Sequence, residues 1–238
     1  EYMEELNFLD AIPMDLVLSA GPACRPAQQI KAAGLRFTSA PMDWMELYPL
    51  SAFLHIFATK YEDFFTEIEE EPQTHGKNRR VVDTKNNITS IHHFPVKKSL
   101  SAGQKAMRKT MLRRAERIDG ILQQAKHVLI VCNRPDSPES LENFRREFQT
   151  IYPHLTCYLM NIRDTDRDFP TVTSMNDGKL LEIAFRDVHP DGDAESGNPL
   201  AWQGNSPCWQ AALRHVQLSD AAKNYREPKG LLENLFRR

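Results

Sequence analysis

Residues 127–160, HVLIVCNRPDSPESLENFRREFQTIYPHLTCYLM, decide the fold class. Val128–Val131 and Leu155–Met160 are short, unbroken apolar runs, the pattern of strands covered on both faces. Between them, Ser137-Pro138 marks a helix start, a capping hydroxyl followed by proline in the first turn. Leu141, Phe144, Phe148 and Ile151 then form one apolar stripe. Strand, helix and strand in this order argue for parallel pairing in an α/β layered fold.

Upstream, Ser101–Lys126 reads as the clearest helix, with Met107, Met111, Ala115, Ile118, Ile121, Leu122 and Ala125 at helical spacing. Asp15–Ala20 is a buried strand leading through Gly21-Pro22 into a helix that ends at Gly34. Leu35–Ser39 is expected as a short strand, 45–70 as mostly helical with a break at Pro49, and Glu71–Arg80 as an exposed loop. Val81–Asp83 and Ile88–His92 flank an asparagine turn and predict a hairpin; Thr171–Thr173 and Leu180–Arg186 around Asn176-Asp177-Gly178 predict a second. Residues 187–208 are a loop rich in Gly, Pro, Asp and Asn, and Trp209–Arg238 looks helical with a break at Pro228. The expected organisation is a short polar lead-in over 1–12 and a single α/β domain over 13–238. That domain is a layered sheet with flanking helices, partly parallel, with one or two hairpins.

The 238 residues carry 30 basic and 32 acidic side chains, a formal net charge of −2. So balanced a surface is not built as a whole to hold nucleic acid. An apolar share of 41% excludes a disordered chain. No run of eighteen apolar residues suggests a membrane span. Four scattered cysteines form no CxxC pair, so neither a tetrathiolate zinc site nor any other metal or cofactor is expected, and a reducing cytoplasm is the expected compartment.

Cys24 is the candidate nucleophile. It follows a buried strand and sits at a helix start, where backbone N–H groups and the helix dipole favour a thiolate and can hold an oxyanion. The same place also suits a cysteine that simply packs. A thiol needs a base, and His92, at the end of a hairpin arm held by Phe94-Pro95, is the candidate. Asp43, fixed by a proline turn beside a shielding Trp44, or Asp83 on the same hairpin, would orient the imidazole. Lys109, Arg113 and Arg117 recur at four-residue steps as a basic stripe, which Lys105 and Arg108 extend.

These residues carry a resemblance. Leu16-Val17-Leu18-Ser19-Ala20-Gly21-Pro22-Ala23-Cys24 resembles the strand and S-L-G-x-x-C opening of a bacterial family of unknown function labelled as papain-like cysteine peptidases. Ser39-Ala40-Pro41-Met42-Asp43-Trp44 resembles its S-x-P-F-D-W, with Met42 in place of phenylalanine. Val81-Val82-Asp83 through His92-His93-Phe94 resembles its V-V-D…V-H-D-F, with His93 in place of aspartate. Arg113-Arg114-Ala115-Glu116-Arg117-Ile118 resembles its R-R-x-x-R-F. The resemblance covers roughly residues 13–135. It implies a thiol-dependent hydrolase or acyl-transferase with Cys24 and His92 as its pair, acting on a small-molecule, peptide or glycan substrate. An SGNH-type hydrolase, which also places a nucleophile after a strand, is disfavoured by the wrong spacing of Asp187-Val188-His189. The alternative is an α/β module that binds an anionic ligand, a nucleotide-sugar or phosphorylated glycan, through Arg25, Arg113 and Arg117 without cysteine catalysis. Trp44 and these arginines are the expected substrate contacts; the oligomeric state is not legible.

Overall fold

A computed structural model describes residues 3–226. Along the chain run β1 (Leu16–Ser19), α1 (Arg25–Ala32), β2 (Met45–Glu46), α2 (Leu50–Ala58), β3 (Ile68–His75), β4 (Asn78–Asp83), β5 (Ile88–Ser90) and α3 (Leu100–Leu122). There follow β6 (His127–Cys132), α4 (Pro138–Ile151), β7 (Thr156–Asp164), β8 (Thr171–Met175), β9 (Leu180–Phe185), α5 (Ser206–Leu213) and α6 (Asp220–Lys223).

A five-stranded sheet has the order β1-β6-β7-β9-β8. Its first four strands are parallel and β8 runs antiparallel to β9, so the α/β reading holds. Leu18, Ile130, Leu159 and Leu180 stand side by side across the four parallel strands and are all buried. They face a core built with α2, α3 and α4. The alternate residues, such as Leu129, Val131, Met160 and Ile183, face a second core under α1 and α5. Both faces are therefore covered, which is why these strands read as continuous apolar runs. Ser137 caps α4 by accepting from Ser140 N, with Pro138 at the first helical position.

A four-stranded antiparallel sheet, β2-β5-β4-β3, packs through Val81 and Ile88 against the first core. The parallel α/β core and the antiparallel segment that leads to His92 are thus two sheets. Several local expectations are corrected. Residues 35–39 are irregular, with Arg36 bonded to Ser39 and Asp43. The stretch 45–70 is β2, α2 and a run of turns rather than mostly helix. The exposed loop expected over Glu71–Arg80 is largely the β3–β4 hairpin. Its Glu70–Arg79 and Glu71–Arg80 pairs cross between the strands, and Pro72 sits where the register shifts on an edge strand. The lead-in expected over residues 1–12 forms a 3-10 helix, Glu4–Ala11, with Leu6 and Leu9 fully buried. Among the described residues, the C-terminal region is helical only in the short α5 and α6, and the break expected at Pro228 lies outside them. Among the described residues, no helix is long and apolar enough to cross a membrane.

Candidate active site

At the end of β1 the chain turns through Gly21-Pro22 and enters α1 with Cys24 as its N-cap. A side chain at position 21 would press on the Pro26 ring at 2.5 Å and Asn133 Oδ1 at 2.9 Å, so only glycine lets the turn close this tightly. Pro26 has no N–H to lose in the first helical turn. Cys24 keeps helical backbone angles, and its carbonyl accepts from Gln28 N at 3.1 Å. Its side chain makes no cap bond and is directed instead to the small sheet.

There β5 delivers His92 just past its last paired residue, Ser90. The Cys24 sulfur lies 3.4 Å from His92 Nε2 across 68 residues of sequence. Trp44 meets the imidazole edge-on with centroids 6.0 Å apart, and His75 does so at 5.2 Å. Cys24 is only 6% exposed, whereas His92 is exposed, so the histidine is the outer member of the pair.

Glu46, which the sequence reading missed, is the sulfur's other neighbour, with Oε1 3.9 Å from Sγ. Arg80 Nη1 stands 3.8 Å from the opposite carboxylate oxygen. Position 46 fell within a stretch expected to be helical. Only the pairing of the two-residue β2 with β5 brings it here, and no local motif announces that pairing.

The electrostatics correct the expected thiolate. Burial first, then the charge and hydrogen bonding of Glu46, push the Cys24 thiol up to about 12. Burial, then His75, holds His92 below the ordinary imidazole value. The resting pair at neutral pH is therefore a thiol and a neutral imidazole. One residue on, His93 turns away, with Nδ1 2.9 Å from Ser90 Oγ.

The orienting carboxylates proposed from sequence serve other groups. Asp43 accepts from Ser19 Oγ at 3.1 Å and Ala40 N at 2.9 Å and pairs with Arg36 at 3.1 Å. Asp83, fully buried, accepts from Phe65 N, Asn86 N and Asn86 Nδ2. The imidazole's neighbours are Cys24, Trp44, His75 and His93 instead. Arg25, beside the nucleophile, is engaged elsewhere: it pairs with Asp187 at 2.7 Å and donates to the Trp202 carbonyl at 2.8 Å. Arg113 and Arg117 lie on α3, Arg113 exposed and Arg117 half-buried. Arg108 is tied to the carbonyls of Phe64 and Glu62. The geometry thus joins Cys24, His92 and Trp44, while Asp43 and Arg25 are bonded to other groups.

A family model described as "Putative papain-like cysteine peptidase" matches residues 15–142, a span that includes Cys24, Glu46 and His92. No curated protein and no solved structure gives a match.

Proposed function

This chain belongs to the family carrying that description, and from this premise we propose that it is a thiol-dependent hydrolase or acyl-transferase whose nucleophile is Cys24 and whose base is His92. The 3.4 Å approach of Sγ to Nε2 carries the reading, because it is within proton-transfer reach and joins two distant segments.

The chemistry starts from the neutral pair. As Sγ bonds to the substrate's carbonyl carbon, the thiol proton passes to His92 Nε2 and the carbonyl π electrons move to oxygen. The N–H groups that the first turn of α1 leaves outside the helical ladder can donate to that developing charge. Collapse breaks the bond to the leaving amine or alcohol, which takes the proton from Nε2. Water then attacks the thioester with Nε2 again as base, or another nucleophile takes the acyl group. Trp44 limits how far the imidazole can tilt.

Acyl trapping tests this. Incubation with an activated p-nitrophenyl ester should leave one acyl adduct on Cys24, seen by mass spectrometry, that is absent in Cys24→Ala and at least tenfold slower to form in His92→Gln. An adduct-free Cys24, or an unchanged rate in His92→Gln, would overturn the pair.

A further inference from the structure

Glu46 is held in place from two sides. Toward the small sheet, Met45 and Glu46 pair with Ser90 and Thr89 of β5, the strand that delivers His92. Toward the nucleophile, the next amide, Leu47 N–H, donates to the Pro22 carbonyl at 2.8 Å. Leu47 adopts a φ of 49°, unusual for a branched residue, to make that contact. The two-residue strand is thereby fastened between the turn that carries Cys24 and the strand that carries His92. Its carboxylate reaches the sulfur at 3.9 Å.

The charge there is not cancelled. Arg80 approaches Glu46 only to 3.8 Å and also binds Glu71 through Nε, so one cation is shared by two carboxylates. Arg25 is committed to Asp187. His92 lies against the sulfur, with the His75 ring edge-on beside it. An unbalanced negative charge beside a thiol opposes its ionisation, so it does not assist the nucleophile in the resting protein. A positive charge brought by the substrate would reverse its effect.

We propose that Glu46 is the specificity-determining residue of this site, receiving an ammonium group that the acyl substrate carries close to its scissile carbonyl. This rests on the reading of Cys24 as the nucleophile. An ammonium docked on Glu46 lies next to the attacked carbon and neutralises the carboxylate that faces the sulfur. Negative charge can then grow on sulfur and oxygen without a like charge opposite. A substrate with an anionic group at that place is repelled. The substrate class is an amino-bearing acyl compound, such as an aminoacyl ester or a peptide with a free amino terminus.

Charge-matched thiol labelling tests the assignment without requiring turnover. Cys24 modification is followed by mass spectrometry with three methanethiosulfonates: trimethylammonium-ethyl (cationic), methyl (neutral) and sulfonatoethyl (anionic). Each rate is normalised to that with free cysteine. The cationic reagent should react on the order of tenfold faster than the anionic one. Glu46→Gln should bring that ratio near one and speed the neutral reagent. Arg80→Gln should widen the ratio, and it keeps the test open if Glu46→Gln fails to fold. A native ratio near one, a reversed ratio, or a ratio that Glu46→Gln leaves unchanged would overturn the assignment. So would a sulfur that none of the reagents reaches, since no ammonium could then dock on Glu46 beside it. A preserved ratio without acyl trapping on Cys24 would sink the catalytic reading alone.

Discussion

His92 and His93 are neighbours in sequence with different surroundings. His92 is exposed beside the sulfur, while His93 is mostly enclosed and bonded to Ser90. Burial, then the charge of Arg114, then His92, push the His93 imidazole down to about 4 from its ordinary 6.5. A histidine with a depressed value in the folded state binds its proton more readily when unfolded. Its contribution is therefore present above pH 6.5 and is lost as pH falls from 6.5 toward 4. The loss expected over that window is about 3 kcal/mol. Urea unfolding at a series of pH values should show it, and His93→Asn should flatten the slope. The approach of Cys24 to His92 was legible because a turn glycine before a helix and a histidine closing a hairpin leave local signatures. Asp43 and Asp83 leave equally good signatures, yet both satisfy backbone N–H groups. Sequence shows that a carboxylate is fixed, but which donor fixes it depends on tertiary approach.

At the scale of elements, the turn between β8 and β9 was legible and its packing was not. Asn176, Asp177 and Gly178 take positive φ of 52°, 55° and 79°, as the residue types suggested. A Cβ on Gly178 would also meet the Phe8 ring at 2.8 Å, a contact across the whole sequence. Gly178→Ala combines backbone strain with a clash and should destabilise by about 2–3 kcal/mol. Adding Phe8→Ala should relieve the clash and leave the strain, a coupling that a double-mutant cycle measures. The loop over 187–208 shows the same limit. Its composition announced a loop, but not that buried Asp187 anchors it by accepting from Arg25 Nη1, Asn205 N and Trp209 Nε1. Asp187→Ala leaves those donors without their carboxylate. It should cost about 3–5 kcal/mol and speed hydrogen exchange over residues 188–205. Unchanged exchange would mean that the loop is held by its other contacts. The strand β3 escaped for a simpler reason: an edge strand with charged, exposed residues has no apolar alternation to detect.

Across the whole molecule, the two faces of the parallel sheet are closed by different parts of the chain. One is covered by α2, α3 and α4, of which the sequence displayed α3 and α4 as patterned helices. The other is closed largely by the two ends of the described chain. Met3, Leu6 and Leu9 meet Trp209, Leu213 and Val216 over Met160, Ile183 and Phe185. Met14 N–H donates to the Gln217 carbonyl at 2.7 Å, and Ser219 N–H donates to the Met14 carbonyl at 2.9 Å. The 3-10 helix looked like a polar lead-in because Glu4, Glu5, Asn7 and Asp10 outnumber its inward residues, which occupy a single short stripe. Full burial of a leucine is worth about 1.5–3 kcal/mol. Leu6→Ala with Leu9→Ala also opens a cavity over the central strands, so the pair should remove about 5 kcal/mol. That is comparable to the whole stability of an ordinary domain. Deletion of residues 1–11 should therefore yield a chain that binds a hydrophobic dye and unfolds without a sharp transition. The Cys24–His92 contact lies at the end of β1 and the rim of the small sheet, removed from that core. The single variant Leu6→Ala should thus lower the thermal midpoint while leaving the acyl-trapping rate at Cys24 unchanged below the new transition. A midpoint untouched by Leu6→Ala would show that the ends do not close the second face.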